Sequence, residues 1–523
     1  MRGPSSSHCA AAVRIGRLAR DLMGGEIQEV LIEFHPDGSL ATTHESQGSD
    51  MGLFGGLLGW DAADERLVNS AEAMLEAGIE TEVRITEFPA YHPNTYRLTL
   101  KGPGLEHRMV AVSTGGGIIR VDEIDGLPVS MAGDFHETLV FLAGVKEGED
   151  GGPDQTEDVF AHLVECLEAD LEAEEVHLHR SEAGGILQIK SGSFPSTKSL
   201  RKSLDEIGVS EVRFLAPVLP VQSRSGMKVP FLRVDGIPKD SDRDNTSLWE
   251  LAVDYESARG SMSAEEVLRR MEDILRIMEQ SVDEGLAGTA FQDRILPPQT
   301  GRYDQRLRAG ELLDVGILNR IILYTSAIME VKSSMGVVVA APTAGSCGAL
   351  PATVVGAGHE AEASTEEMAK AMLAAGLVGV FITAGSTFAA EVCGCQAECG
   401  AGSAMAAAAL VTLRNGSTAQ ALAAASMALQ NTLGMICDPV ANRVEVPCLG
   451  RNVLAASNAV GCANMALAGF DEVIPLDEVI ATMDDVGKAM PHELRCTALG
   501  GLSVTATSKR IQRELEGTNR TGV

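Results

Sequence analysis

Apolar and polar positions alternate in short runs through the first quarter of the chain. Runs of this kind at residues 29–34 and 95–100 are bounded by Pro and Gly, a pattern typical of β-strands joined by turns. Helical spacing of apolar residues occurs at 10–23 and 62–77. The pattern therefore predicts an N-terminal α+β domain at residues 1–146.

The middle of the chain predicts a small α/β module at residues 159–234. Strand patterns lie at 176–178, 186–189 and 211–215, and helical patterns at 159–171 and 197–207. The acidic, Gly-rich residues 147–158 and the charged residues 235–245 predict linkers on either side of the module.

Helical periodicity dominates the rest of the chain and predicts a mostly α-helical catalytic domain at 246–515. The expected helices are 248–279, 312–330, 365–383, 402–413 and 418–433. Residues 371–390 carry no charge and are long enough to cross a bilayer. Because small residues dominate this segment, we interpret it as a buried helix and expect no membrane association.

Composition narrows the class of protein further. The 523 residues include 73 acidic and 42 basic side chains, so the formal net charge is −31 and a nucleic-acid partner is disfavoured. Ten cysteines are too few for a disulfide scaffold, which favours the reducing cytoplasm. The Arg- and Ser-rich first twenty residues loosely resemble a transit peptide, but they also form the motif described below.

Three cysteines lie beside turn residues in the helical half. Cys395 follows a glycine, Cys437 precedes Asp-Pro and Cys448 follows Val-Pro, with spacings of 42 and 11 residues. Thiolates in loops are good ligands for soft metals or an iron–sulfur cluster, although free cysteines are commonly small buried hydrophobes. No paired Cys-x2-Cys accompanies them, so a structural zinc ribbon fits badly. Cys395 and Cys399 are spaced like half of a metal knuckle.

Motifs spread over residues 3–501 resemble those of the iron–sulfur-dependent L-serine dehydratases, here with the family's β part and α part fused in one chain. They are Gly-Pro-Ser-Ser-Ser-His at 3–8, His-Pro-Asn-Thr at 92–95, Ser-Thr-Gly-Gly-Gly at 113–117, Ala-Pro-Thr at 341–343, Gly-Cys-Gln-Ala-Glu at 394–398, Cys-Asp-Pro at 437–439, Val-Pro-Cys at 446–448, Arg-Asn at 451–452 and Thr-Ala-Leu-Gly-Gly at 497–501.

The resemblance implies a [4Fe–4S] cluster held by Cys395, Cys437 and Cys448, with one iron open to substrate. Such an iron acts as a Lewis acid on the substrate hydroxyl. The implied activity is that of an L-serine ammonia-lyase, which eliminates water and releases pyruvate and ammonia, as in amino-acid degradation and gluconeogenesis. We expect a homo-oligomer, a dimer, whose partner is a small amino-acid substrate.

The resemblance also proposes site residues. Catalytic candidates are Ser5, Ser6 and His8, with His44 as an alternative base for the position described below, and substrate-binding candidates are Ser7, His92, Asn94, Thr114, Gly115, Gly116 and Thr343. Structural interpretations stay open for some of them. The serines could cap the first helix, residues 114–117 could form an ordinary glycine turn, and His92 could be structural.

This chain departs from the family pattern at several positions. Gln47 stands where the family commonly has a histidine proposed as the base, and glutamine cannot act as a general base at neutral pH. Ala344 and Gly450 replace polar residues common in the family, and residues 513–523 lack the terminal cysteine that some members use. An open iron would then bind water or another ligand at rest.

Three alternatives follow. A pyridoxal-phosphate lyase would need a Schiff-base lysine, for which Lys332 is the one candidate. A non-catalytic iron–sulfur sensor would close the cluster with Cys399 or Cys347. A related lyase would act on threonine, cysteine or a hydroxylated acidic amino acid.

Overall fold

The computed structural model describes residues 1–143, 173–181, 184–196, 200, 209–222, 227–237 and 246–520. The linker predicted at 147–158, the helices predicted at 159–171 and 197–207 and most of the second linker lie outside the described residues. Within these ranges the chain forms an N-terminal region with two sheets and a helical C-terminal region, as predicted at this coarse level.

The first sheet has six strands in the order β2-β1-β3-β4-β5-β6. They are β1 (Glu29–Phe34), β2 (Glu80–Ile85), β3 (Thr95–Gly102), β4 (Leu105–Gly115), β5 (Ile118–Ile124) and β6 (Leu127–Met131). Strands β1 and β2 pair in parallel and the other neighbours are antiparallel. The strands predicted at 29–34 and 95–100 are confirmed as β1 and β3. In β1 the alternation places Val30, Ile32 and Phe34 in the core.

Short helices cover this sheet. They are α1 (Ala11–Leu22), α2 (Leu40–Thr43), α3 (Ser49–Leu57) and α4 (Ser70–Glu76). Helix α1 continues a π-helical turn at Ser6–Ala10, which carries the serine–histidine motif. The helix expected at 62–77 is shorter than predicted, because Asp64 accepts a hydrogen bond from the Arg66 amide and starts a 3-10 turn at Glu65–Asn69.

The second sheet has four antiparallel strands in the order β10-β7-β9-β8. They are β7 (His136–Ala143), β8 (Glu175–Ser181), β9 (Gly184–Ser191) and β10 (Val209–Leu215). Strand β7 thus pairs with strands of the middle module, although it precedes residue 146. The domain boundaries themselves remain predictions.

Twelve helices follow in the described C-terminal residues 246–520. They are α5 (Leu248–Gly260), α6 (Ala264–Ala287), α7 (Thr300–Arg308), α8 (Ile317–Ser333), α9 (Leu350–Glu360), α10 (Thr365–Gly385), α11 (Ala390–Cys393), α12 (Cys399–Leu413), α13 (Thr418–Gln430), α14 (Cys448–Leu467), α15 (Leu476–Ala489) and α16 (Ala506–Arg520). The single helix predicted at 248–279 is two helices, because Ser261 adopts a left-handed conformation and Ser263 caps α6.

Helix α10 corresponds to the buried helix predicted from residues 371–390. Among the described residues it is the one helix whose length and composition would allow it to cross a bilayer, and 67% of its apolar window lies inside the protein. Its neighbours include α12, which is alanine-rich and buried along nearly its whole length. Small side chains let these helices approach closely and form the largest core.

Helices α1 and α3 position the serine–histidine turn and cross at glycines. A Cβ atom at Gly56 would overlap the Val13 carbonyl oxygen, and one at Gly16 would overlap that of Leu53. We expect Gly56→Ala to lower the free energy of unfolding by about 1–3 kcal/mol, because it overpacks this crossing. Thermal denaturation checks this, with Gly461→Ala as control because nothing lies within 4 Å of that position. Equal melting temperatures would contradict the prediction.

Candidate active site

The candidate site lies where the N-terminal turn and helix α2 contact loops of the helical region. Hydrogen bonds join the two regions across this boundary. Ser6 Oγ accepts a hydrogen bond from the Ala344 amide at 3.1 Å, and Ser39 Oγ donates to the Cys496 carbonyl at 2.7 Å. Thr42 Oγ1 donates to the carbonyl of Thr497 at 2.8 Å. Residues from both halves of the chain therefore build one site.

A small, largely enclosed cavity of about 10 Å³ lies at this boundary. Its lining includes Ser5, Gln47, Gly345, Glu391, Glu398, Cys437, Cys448 and Cys496. A Cβ atom at Gly345 would lie 2.7 Å from a Glu398 carboxyl oxygen, so this glycine leaves the space between them free. The lining joins thiols, carboxyl groups and a hydroxyl, which is a donor set suited to a metal centre and acid–base chemistry.

Local backbone structure brings the thiols together. Cys395 lies in a 3-10 turn that begins at Gly394, whose φ is +70°. Cys437 donates its amide to the Leu494 carbonyl at 2.8 Å and accepts from the Cys496 amide at 3.0 Å. Cys448 begins helix α14. The Cys437 thiol is within hydrogen-bonding reach of the sulfurs of both Cys395 and Cys496.

One arginine offsets negative charge at the thiols. Arg451 donates to Cys395 Sγ at 3.6 Å and to Asp438 at 2.7 Å. The hydrogen bond from Cys437 and the Arg451 charge lower the pKa of Cys395 despite its burial. Burial raises the pKa of Cys448, and hydrogen bonding to Cys395 is the main cause that raises the pKa of Cys437. The site therefore favours one thiolate and needs further positive charge to hold more.

These thiols fit an iron–sulfur cluster better than a single ion. Within the described ranges, no three His, Cys, Asp or Glu side chains surround one point as ligands of a single metal ion would. In a [4Fe–4S] cluster each cysteine binds a different iron, so the thiols surround a volume and not a point. Cys395, Cys437 and Cys448 could hold such a group, since all three are buried, Cys437 and Cys448 line the cavity, and the Cys395 sulfur lies within hydrogen-bonding reach of Cys437.

His8 lies behind the cavity wall and is completely buried. Its Nε2 lies 2.8 Å from Thr43 Oγ1, which already donates its proton to the Ser39 carbonyl. Nε2 is therefore the donor and Nδ1 the acceptor, at 2.9 Å from Ser5 Oγ. Burial lowers the pKa of His8 below 6.5, which agrees with this neutral tautomer. Ser5 can thus pass a proton from the cavity to His8.

Two buried glutamates face the same cavity. Glu391 accepts a hydrogen bond from Ser7 Oγ at 2.6 Å, while its other carboxyl oxygen has no partner among the described residues. Glu398 accepts from Thr343 Oγ1 at 2.9 Å. Burial, followed by the negative charges of Cys395 and Glu391, raises the pKa of Glu398 well above its usual range. Glu398 is consequently a proton donor at neutral pH.

Sequence reasoning assigned no role to these glutamates or to Cys496. The sequence does mark Glu391 as unusual, because it is the one charged residue in the otherwise uncharged segment 371–395. A carboxylate in such a segment must find a buried partner or serve a function. Cys496 gave no comparable signal, since its proximity to Cys437 depends on a long-range backbone contact.

The structure separates His44 from the thiol cavity. His44 Nδ1 lies 2.7 Å from Asp50 and its ring faces a different, polar cavity beside Arg443. Burial opposes protonation, but Asp50 raises the pKa of His44 above 6.5. Gln47 lines the thiol cavity instead, with Nε2 donating to Cys496 Sγ at 3.5 Å.

The substrate-binding residues predicted at 92, 94 and 114–116 do not line the thiol cavity. Thr114, Gly115 and Gly116 line a separate large groove, and the Thr114 carbonyl accepts from Thr387 Oγ1 at 3.2 Å, close to the start of α11. His92 Nδ1 accepts from the Asn94 amide at 3.1 Å. The Asn94 side chain is fully buried, and neither its Nδ2 nor its Oδ1 atom has a hydrogen-bond partner among the described residues. Such an orphaned group is suited to a polar ligand.

Comparison with known proteins identifies sequence relatives of the helical region. The family model "Serine dehydratase alpha chain" matches residues 243–503. Over 253 residues the chain is 37% identical to "Probable L-serine dehydratase, alpha chain" of Bacillus subtilis, covering 48% of this chain and 84% of that protein. It is 35% identical over 268 residues to "L-serine dehydratase, alpha chain" of Peptoniphilus asaccharolyticus, covering 51% and 92%. With "L-serine dehydratase 2" of Escherichia coli, identity is 31% over 284 residues, covering 53% and 62%.

The cavity geometry predicts different outcomes for two buried cysteines. We expect Cys437→Ala to lose iron, sulfide and activity, because its thiol lies between two others at the cavity. Cys399→Ala should keep all three, because Cys399 lies outside both the cavity lining and the apolar cluster that joins Cys395 to Cys437, and accepts from Asn452 at 3.8 Å. Iron and sulfide are measured on anaerobically purified protein. Cluster loss in Cys399→Ala alone would contradict the assignment.

Proposed function

The chain belongs to the serine dehydratase alpha-chain family, and on that premise we propose that it deaminates L-serine to pyruvate and ammonia with a [4Fe–4S] cluster on Cys395, Cys437 and Cys448. The observation that carries the proposal is the closed cavity in which thiols, two buried glutamates and the Ser5–His8 pair meet. When bound, the cluster supplies Lewis-acid polarisation of the substrate hydroxyl. A cytoplasmic dimer acting in amino-acid degradation is part of the same proposal.

The protein's own groups divide the proton chemistry between them. Ser5 Oγ, hydrogen-bonded to the unprotonated Nδ1 of His8, takes the α-proton and passes its own proton to the imidazole. Glu398, which burial keeps protonated, gives its proton to the departing hydroxide and water is released. The resulting 2-aminoacrylate tautomerises and takes up water to form pyruvate and ammonia.

Two further groups suit the charged ends of an amino acid. The unpartnered carboxyl oxygen of Glu391 can accept from the substrate ammonium, and Ser7 holds the other oxygen in place. The unpartnered Asn94 amide can donate to the substrate carboxylate. Their buried state excludes water, so each contact strengthens at low local dielectric.

The alternatives receive less support from the geometry. Lys332 is fully buried and its Nζ donates to the Val444 carbonyl, which is a structural role. Cys347 contacts Met329 and Cys399 contacts Asn452, so neither lines the thiol cavity as a sensor's fourth ligand would. A different β-substituted substrate is favoured by one observation, the amide of Gln47 in the cavity in place of an imidazole.

We expect anaerobically purified protein to release pyruvate from L-serine, and brief exposure to air to abolish this activity, because a substrate-accessible cluster is open to oxygen. Parallel assays with L-threonine and L-cysteine, measuring 2-oxobutyrate and pyruvate, test the substrate. An intact cluster with no 2-oxo acid from any of the three would overturn the lyase proposal.

His8→Ala should retain iron while turnover falls at least about a hundredfold, the usual scale of acid–base contributions. His359→Ala is the matched control, because that imidazole lies on the surface beside Glu279. Since burial lowers the pKa of His8 below 6.5, kcat should hold through neutral pH and fall at lower pH as His8 gains a proton. Unchanged turnover in His8→Ala would remove it from the mechanism.

A further inference from the structure

Cys496 is a fourth thiol at the cavity. It is 5% exposed, lines the same space as Cys437 and Cys448, and shares an apolar cluster with Cys395 and Cys437. Cys395 belongs to this group through that cluster although it does not line the cavity, whereas Cys9, Cys347 and Cys399 neither line the cavity nor belong to the cluster. The four sulfurs therefore form one group, and four is the number of thiolates that a fully protein-ligated [4Fe–4S] cluster takes.

The backbone holds Cys496 in an uncommon conformation. Its φ is +58° and that of Ala498 is +61°, which non-glycine residues rarely adopt. The amide of Cys496 donates to the Cys437 carbonyl at 3.0 Å, and its own carbonyl accepts from Ser39 Oγ at 2.7 Å. Contacts from both halves of the chain therefore keep this thiol beside Cys437. Such over-determined strain is typical of functional positions.

A side-chain amide of the N-terminal region also donates to the Cys496 sulfur. Gln47 Nε2 donates to Cys496 Sγ at 3.5 Å, and Gln47 is itself 1% exposed. An amide that donates to a cysteine sulfur stabilises its negative form and tunes a ligated metal, as outer-sphere donors generally do. Unlike an imidazole, the amide does not change its charge in the physiological pH range, so this donor stays neutral.

We propose that Cys496 is an exchangeable fourth thiolate of the cluster, bound at rest and displaced when substrate binds. The inference rests on the proposed cluster site. When Cys496 binds, its thiol proton passes to solvent; when the substrate oxygen displaces it, the thiolate takes a proton up again and returns to its hydrogen bond with Gln47, so no electron is transferred. The resting ligand then comes from the loop that holds Cys496 beside Cys437.

The test compares iron loss in the full-length holoprotein. Wild type, Cys496→Ala, Cys496→Ser and the control Cys399→Ala are loaded anaerobically and treated with limiting ferricyanide. Iron per chain and the electron paramagnetic resonance signal of [3Fe–4S] are then followed. We expect Cys496→Ala to form the three-iron cluster at least about tenfold faster than wild type, with Cys496→Ser between them and Cys399→Ala unchanged.

Each outcome separates this inference from the proposed function. Wild type without any cluster would overturn both. A cluster in wild type that loses iron at the same rate in all four proteins would overturn the role of Cys496 alone. If both Cys496 variants keep the wild-type melting temperature but take up no cluster, Cys496 is an obligatory ligand and the exchangeable role is wrong.

Discussion

The contact between the N-terminal turn and the loops around Cys437 is the interaction on which the site depends. Neither half closes the cavity alone, because Ser5 and Gln47 come from one half and the thiols and glutamates from the other. The hydrogen bonds of Ser6, Ser39 and their partners are buried, so separating the halves would leave polar groups unsatisfied. Fusing both parts in one chain reduces the entropy cost of this contact.

Backbone strain concentrates at the same boundary. Ala441, Asn442, Cys496 and Ala498 all have positive φ, and all lie in loops that adjoin Cys437 or contact helix α2. Such conformations cost free energy and persist only where surrounding contacts fix them. Here those contacts come from across the boundary, as in the bond from Asn442 to the Thr42 carbonyl at 2.9 Å. The loops are therefore set in place by assembly of the site.

Periodicity predicted the strands and most helices because each alternates buried and exposed positions locally. It failed at Ser261 and Asp64, where a left-handed residue and a cap interrupt an otherwise helical pattern. For the site, the motif resemblance predicted Cys395 and the serine–histidine turn. It did not predict that Gln47 faces the thiol cavity while His44 faces another, because the turn between these two residues decides which side chain points where. No local pattern encodes that choice, nor the approach of Cys496.

Charge balance explains why the cavity combines these groups. Thiolates and Glu391 are negative, while Arg451 touches only one sulfur. Burial and the charge of Cys395 raise the pKa of Cys448, and the charge of the fully buried Lys332, which donates to Val444, partly offsets this rise. Burial is the main reason that the pKa of Glu398 is raised, and the negative charges of Cys395 and Glu391 raise it further. A neutral acid beside a carboxylate thus follows from burial together with the neighbouring thiols, and this acid is the proton donor in the proposed elimination.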